Sequence, residues 1–256
     1  MYMIALWGSS GAGKTTLALA LAAAFAKKRQ DTLILSAETR TPGPPVMAPT
    51  DVKKMDRRNS IGPLLETSVA SEDQLAERIW RRRDSKEIFY MGYAPGETPS
   101  ITYQTPTRNA ALSLFQLLMQ LSRFSYVIVD CDSSPLFDQT TLAALEYAHT
   151  GVIAVTPDPK GFAFYKSQTT WLNNGDAFHL DRFKKVASPC FAYSPMAEVR
   201  MDYGGLDCEL PYSEEVAKKM MSGELLTGFE TVEGVIYEKR IRQLAMLLEE
   251  EASNVG

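Results

Sequence analysis

The chain has 256 residues, a formal net charge of −4 at pH 7 and 45% hydrophobic residues. These values are typical of one compact domain, here predicted to span residues 1–256, and they exclude a fibrous or disordered chain. The acidic balance gives no overall field that attracts nucleic acid, so any DNA contact has to be local. Three scattered cysteines without a CxxC pair favour reduced thiols and a cytoplasmic protein.

Short apolar runs predict about six buried strands, at residues 3–7, 32–35, 88–93, 126–130, 151–155 and 183–187. Helical patterns lie between and after them, at residues 14–28, 107–123, 139–149, 161–173, 213–221 and 234–251. This alternation predicts a doubly wound α/β fold of the P-loop type, with a mostly parallel sheet of about seven or eight strands and helices on both faces. No apolar stretch is long enough to span a bilayer and no secretion signal is visible, so membrane insertion is not expected.

Residues 41–49, TPGPPVMAP, hold four prolines and one glycine. Proline removes a backbone donor and disrupts regular elements, so a loop is predicted here rather than a helix or a central strand. The segment follows the second strand, whose carboxyl end points the same way as that of the first. A loop at this place can reach the phosphates of a nucleotide.

The segment GSSGAGKTT fits the P-loop pattern G-x-x-x-x-G-K-[ST] and lies between a predicted strand and a predicted helix. Its glycines let successive backbone amides face phosphates, and the helix presents the positive end of its dipole. Lys14 is predicted to bridge the β- and γ-phosphates of ATP, with GTP as the alternative, and Thr15 to ligate Mg²⁺. The nucleotide-binding residues predicted in this segment are Gly8, Ser10, Gly11, Ala12, Gly13, Lys14, Thr15 and Thr16. A glycine-rich turn that opens an ordinary helix is the alternative interpretation.

Three acidic residues follow predicted strands. Asp130 ends the run YVIVD, where a carboxylate can hold magnesium through its water shell, although a capping or turn-forming aspartate is also found at such ends. Asp132 faces the same side if the chain stays extended, and it either positions water or caps a helix. Glu38, after the second strand, can polarise a water molecule aimed at the γ-phosphate or can be a solvated loop residue.

The combination of GSSGAGKTT, LILSAETRT, YVIVDCDSSP and VTPDPKG resembles the ParA/MinD class of ATPases, over nearly the whole chain. The late segment LPYSEEVAKKMMSGELL is similar to the proline, acidic helix and glycine that precede the last helices of that class. The resemblance implies a dimer with ATP sandwiched between two subunits. It also implies that Pro157 and Asp158 lie in a loop near the adenine, although a proline-stiffened turn is an alternative.

The sequence departs from the pattern of that class at several positions. Ser9 replaces a lysine that crosses to the partner's nucleotide, and Ser10 replaces the first glycine of the motif. Ser36 and Glu38 replace a pair of aspartates, and the motif D-x-P-P reads DCDS at residues 130–133. Nucleotide binding is expected to persist, whereas fast hydrolysis is not. Divergence of this kind is similar to the TadZ/CpaE branch, whose members mark the polar position of a pilus-assembly machine.

Two further segments bear on partners. The cluster IWRRRDSKE, with Arg78, Arg81, Arg82 and Arg83, offers a patch for DNA phosphates or a solvated helix end, and its acidic neighbours favour the helix end. The final helix has an apolar stripe but ends in three glutamates, which repel anionic lipid, so core packing is expected.

The function that these observations predict is an ATP-controlled, slowly hydrolysing positioning or assembly switch of a pilus or secretion machine. Lys14, Glu38 and Asp132 are its predicted catalytic residues, Thr15 and Asp130 hold Mg²⁺, and an ATP-dependent homodimer acts on a protein partner. A partition ATPase that binds DNA nonspecifically is the first alternative, and a P-loop small-molecule kinase is the second.

Overall fold

The computed structural model describes residues 1–41, 43–47, 55–67, 71–134, 138–173, 178 and 180–255. The strands in these residues are β1 (Tyr2–Gly8), β2 (Thr32–Ser36), β3 (Trp80–Arg81), β4 (Ile88–Met91), β5 (Tyr126–Asp130), β6 (Thr150–Val155), β7 (Phe183–Cys190) and β8 (Cys208–Pro211). The helices are α1 (Lys14–Ala26), α2 (Gly43–Met47), α3 (Gly62–Thr67), α4 (Glu72–Ala76), α5 (Pro99–Thr102), α6 (Arg108–Gln120), α7 (Gln139–Tyr147), α8 (Pro159–Asn173), α9 (Met196–Asp202), α10 (Glu214–Ser222) and α11 (Val232–Val255).

The eight strands form one sheet in the order β3-β4-β2-β5-β1-β6-β7-β8. The short edge strand β3 pairs antiparallel with β4, and the other pairs are parallel. The predicted doubly wound, mostly parallel α/β fold is therefore confirmed. Because β1 lies between β5 and β6, its carboxyl end is in the middle of the row of strand ends, next to the carboxyl end of β5.

Side chains of each central strand alternate between two apolar cores, one on each face of the sheet. Along β1, Met3, Ala5 and Trp7 enter the core beneath α6 and α7, whereas Ile4 and Leu6 enter the core beneath α1 and α11. Both faces are covered, so the strand is apolar throughout. Helix α1 packs between the sheet and α11, which explains why its residues are buried on almost every side. This packing fixes the start of α1 beside the end of β1.

The proline-rich segment is not simply a loop, because α2 (Gly43–Met47) forms within it. Pro44 and Pro45 lie in the first turn of this helix, where backbone N–H groups have no partner inside the helix and proline is tolerated. The helix packs tightly on the end of β2, since a Cβ atom on Gly43 would lie 2.0 Å from Ser36 Oγ. Residues 42, 48 and 49 of the segment lie outside the described residues. The prediction that this segment excludes helix was wrong.

The apolar stripe of α11 packs into the core as predicted, with Ile241, Leu244 and Leu248 buried. Leu247 belongs to the same predicted stripe but is not buried, because its side chain is 38% exposed. Searching the part of the chain that the structure describes, we find no helix with the length and apolar character needed to cross a membrane.

Two of the clustered arginines are structural. Arg82 is 3% exposed, and its guanidinium donates to the carbonyls of Met47 and Gly223 and pairs with Asp84. Arg78 is also buried and donates to the carbonyls of Ser60, at 2.9 Å, and Gln74, at 2.6 Å. The interpretation as a solvated helix end was therefore wrong for these two residues. Their donors are engaged within the fold, which removes half of the residues that suggested a DNA-phosphate patch.

We expect Arg82→Ala to lower the free energy of unfolding by about 2–4 kcal/mol, because it leaves the buried carbonyl of Met47 and the partly buried carbonyl of Gly223 without their charged donor. Urea unfolding followed by circular dichroism measures this loss. Arg81→Ala is the matched control, since Arg81 is exposed on the edge strand β3, and it should change stability by less than about 0.5 kcal/mol. Equal losses in the two variants would contradict the anchoring role of Arg82.

Candidate nucleotide-binding site

The P-loop contains three glycines with positive φ angles, Gly8, Gly11 and Gly13, and two of them lie where the loop meets β1 and α1. Gly8 ends β1 with φ 151°, and a Cβ atom at this position would lie 1.9 Å from the carbonyl oxygen of Ala154 on β6. Gly13 has φ 73° and caps α1 from the left-handed region, which favours glycine. Gly13 has no side chain to cap the helix, so the first backbone N–H groups of α1 are available to an anion. The local sequence thus builds a cradle of backbone N–H groups at the carboxyl end of β1, where phosphate is predicted to bind.

Other predicted P-loop residues take distinct positions in this cradle. Ser10 and Gly11 are exposed at its tip, whereas Ala12 is buried and its backbone N–H donates to the Ser9 carbonyl at 3.2 Å. Thr16 is half-buried and lines a cavity beside the loop. One backbone hydrogen bond within the loop therefore helps to fix its shape.

Lys14 is held across the mouth of the P-loop. Its ammonium donates to Ser133 Oγ at 2.6 Å and to the carbonyls of Gly8 and Ser9, both at 3.4 Å. The side chain is 8% exposed. A buried ammonium without a carboxylate among these hydrogen-bond partners is costly, and phosphate oxygens can offset that cost. Lys14 therefore lies at the P-loop, and its predicted contact with phosphate stays a prediction.

Thr15 and Asp130 come together at the end of β5. Thr15 Oγ1 donates to Asp130 Oδ2 at 2.7 Å. Burial raises the pKa of Asp130 to about 6, against the opposing effects of the Thr15 hydrogen bond and the Lys14 charge. The second carboxylate oxygen, Oδ1, is buried and has no hydrogen-bond partner among the described residues. A hydroxyl oxygen beside a carboxylate with a free oxygen is a donor set that suits Mg²⁺ and its water shell.

Glu38 and Asp132 face each other from the loops after β2 and β5. Asp132 Oδ2 accepts from the Thr39 hydroxyl at 2.8 Å, and Asp132 Oδ1 accepts from the backbone N–H of Ser134 at 2.8 Å. Burial alone would raise the pKa of Asp132, but these hydrogen bonds hold it below its usual value. Burial and the neighbouring Asp132 charge raise the pKa of Glu38 to about 7. Glu38 is therefore the carboxyl of this pair that exchanges a proton near neutral pH.

The helix-capping alternative for Asp132 does not match the structure, because Asp138 caps α7. Asp138 accepts from the backbone N–H groups of Thr140 and Thr141 at 3.1 and 3.0 Å. Asp132 instead ties together the loops that follow β2 and β5. Its predicted part in orienting water stays a prediction.

A cavity of about 320 Å³ lies beside the P-loop and extends towards the ends of β7 and β8. Gly11, Gly13 and Thr16 form one side of it. The other lining residues are Ser188, Pro189, Pro211, Tyr212, Ser213, Val216, Ala217, Met220 and Tyr237. Such a largely apolar cavity, continuous with a phosphate cradle, suits the nucleoside part of a nucleotide.

Pro157 and Asp158 are not among the residues that line this cavity. The Asp158 carboxylate accepts from the backbone N–H of Gly161 at 2.9 Å at the start of α8. This local bond is compatible with the alternative interpretation as a proline-stiffened turn. The predicted adenine contact of these two residues stays a prediction. Sequence reasoning missed the wall formed by Pro211 and Tyr212, for which the only signal was the segment LPYSEEV.

No protein-family model matches the sequence, and no curated protein matches it by sequence. Solved structures do match. A ParA family ATPase from Chlorobium tepidum TLS superposes with a TM-score of 0.76 at 13% identity, over 96% of this chain and 98% of that one. MinD from Pyrococcus horikoshii OT3, complexed with Mg-ADP, superposes with a TM-score of 0.68 at 14% identity, over 99% of this chain and 96% of that one. A putative plasmid partition protein from Borrelia burgdorferi B31, bound to AMPPNP, superposes with a TM-score of 0.74 at 14% identity, over 97% of this chain and 99% of that one.

The sheet order, the glycine-shaped cradle and the position of Lys14 define a P-loop protein. The superpositions confirm, at the level of fold, the resemblance to the ParA/MinD class that the motifs indicated.

Proposed function

We propose that this chain binds ATP with Mg²⁺, hydrolyses it slowly, and acts as a nucleotide-dependent switch that positions or assembles a pilus or secretion machine. The observation that carries the proposal is the cluster of Lys14, Thr15 and Asp130 around the P-loop, with the 2.7 Å bond between Thr15 and Asp130. The Mg-ADP and AMPPNP bound by two structural neighbours support the choice of cofactors. The departures that resemble the TadZ/CpaE branch support the assembly role.

The chemistry is attack of a water molecule on the γ-phosphate, which breaks the bond to the β–γ bridging oxygen and releases ADP and phosphate. Glu38 takes the proton of that water, and Asp132 fixes the loop that carries Glu38 through its hydrogen bonds with Thr39. Lys14 and the P-loop amides stabilise the negative charge that develops on the phosphate oxygens. Thr15 and Asp130 would hold Mg²⁺, which would supply further charge neutralisation.

Slow turnover follows from Ser9. A cation that reaches the nucleotide from a partner subunit accelerates phosphoryl transfer strongly in related chemistry. Ser9 is uncharged, is 7% exposed, and its hydroxyl has no hydrogen-bond partner in the described part of the chain. A short buried serine supplies no such charge across a dimer. The slow rate suits a switch that persists in its ATP form rather than a metabolic enzyme.

The pH dependence of hydrolysis provides a direct prediction. Glu38 acts as a base only when it is deprotonated, and its pKa is raised to about 7. The single-turnover rate should therefore rise with pH through neutrality and level off about one unit above that pKa. Rates measured between about pH 6 and about pH 8.5 test this. A rate that is flat across this interval would show that Glu38 does not act as the base.

The proposed partners are a second copy of this chain and a protein of the machine that it positions, within the cytoplasm. Nonspecific DNA binding is not part of the proposal, because Arg78 and Arg82 are buried and bound to backbone carbonyls. Salt-dependent DNA binding in the presence of ATP would reinstate the partition alternative.

Isothermal titration of the wild-type protein with ATP, ADP and GTP in the presence of Mg²⁺ tests the proposal. We expect the adenine nucleotides to bind and GTP to bind more weakly. Absence of binding for all three nucleotides would contradict the proposed function. If GTP binds more tightly than ATP, the proposed P-loop site is supported but its nucleotide is GTP rather than ATP.

A further inference from the structure

Ser133 places an unused hydrogen-bond donor beside the lysine of the P-loop. Its Oγ accepts from the Lys14 ammonium at 2.6 Å, and the residue is 8% exposed. A hydroxyl can accept and donate at the same time. Within the described residues, none of the hydrogen bonds gives the Ser133 proton an acceptor. A buried donor without an acceptor is costly, and here it adjoins an ammonium, so the pair is suited to bind an anion.

The position of Ser133 indicates which phosphate provides that anion. Ser133 follows Asp132, which holds Thr39 and lies against Glu38, the proposed base for the attacking water. The water attacks the γ-phosphate, so this side of the site belongs to the terminal phosphate. The β-phosphate is instead held by the backbone amides at the start of α1. A donor on the loop after β5 therefore contacts the group that distinguishes ATP from ADP.

We propose that Ser133 donates a hydrogen bond to the γ-phosphate and thereby makes the site favour triphosphate over diphosphate. This inference rests on the proposed function and adds a specificity-determining residue to it. The ParA/MinD pattern D-x-P-P has no hydroxyl at the corresponding position, since DCDS replaces it at residues 130–133. The chain thus carries a donor of its own at this place.

The test measures the dissociation constants of ADP and of a nonhydrolysable ATP analogue, both with Mg²⁺, for wild-type and Ser133→Ala protein. Loss of the serine frees Lys14 for either nucleotide, so the ratio of the two constants is the informative quantity. We expect the preference for the ATP analogue to fall about tenfold, the effect of one lost hydrogen bond to a charged group. Ser133→Thr keeps the hydroxyl and should retain most of the preference.

Ser134→Ala is the matched control, because its hydroxyl accepts from Arg40 at 3.3 Å and lies one residue further along the same loop. This variant should keep the wild-type ratio. An unchanged ratio in Ser133→Ala, or an equal fall in both variants, would overturn the inference. Absence of nucleotide binding to the wild-type protein would instead overturn the proposed function.

Discussion

Lys14→Ala should weaken binding of ATP at least about thirtyfold, because it removes the buried ammonium that the phosphates require, a loss of about 2 kcal/mol or more. The variant also loses the hydrogen bonds from this ammonium to Ser133 and to the carbonyls of the loop. A titration with ATP and Mg²⁺ measures the change. Nucleotide binding at wild-type strength would show that the phosphates lie elsewhere.

Lys27→Ala provides the matched control for this prediction. Lys27 follows α1 directly and forms an exposed ion pair with Glu238. Such surface pairs contribute little to stability, and this one lies at the other end of the helix from the P-loop. The control variant should bind ATP as the wild-type protein does. Thermal unfolding of both variants separates a loss of binding from a loss of folded protein.

Glu38→Gln should lower the rate of ATP hydrolysis about a hundredfold or more while nucleotide binding is retained, because the amide cannot take a proton from water. The substitution keeps the size of the side chain and removes its charge beside Asp132. Single-turnover measurement of phosphate release determines the rate independently of product dissociation. Retention of full turnover in a variant that binds ATP would remove Glu38 from the mechanism.

Glu72→Gln is the control for the acidic substitution. Glu72 is exposed in the first turn of α4, where it contacts neither the P-loop nor the loops after β2 and β5 in the described hydrogen bonds. Its rate of hydrolysis should equal that of the wild-type protein. A similar fall in both variants would indicate a general effect of lost negative charge.

The phosphate side of the candidate site could be predicted from sequence because its determinants are local. Gly8 and Gly13 adopt backbone conformations that favour glycine, and Lys14 and Thr15 follow at fixed spacing. Asp130 ends an apolar strand whose parallel pairing with β1 follows from the alternation of strands and helices. A local sequence motif and one general rule of topology were sufficient to predict that these residues lie close together.

Other features depend on contacts between distant parts of the chain, which no local pattern records. In the sequence Arg82 is one member of a charged run, but its hydrogen-bond partners Met47 and Gly223 are 35 and 141 residues away along the chain. The edge strands β3 and β8 are too short, at 2 and 4 residues, to give a periodic signal. The bond between Lys14 and Ser133 spans 119 residues and emerges only when β5 lies beside β1.

In the proposed function, ATP held by Lys14 switches the state of assembly of this chain. Size-exclusion chromatography with light scattering tests it on wild-type and Lys14→Ala protein, each with ADP or with a nonhydrolysable ATP analogue and Mg²⁺. We expect the wild-type protein to be a dimer with the analogue and a monomer with ADP, and Lys14→Ala to be a monomer in both. A wild-type protein that binds the analogue and remains a monomer would contradict a switch in assembly that ATP controls.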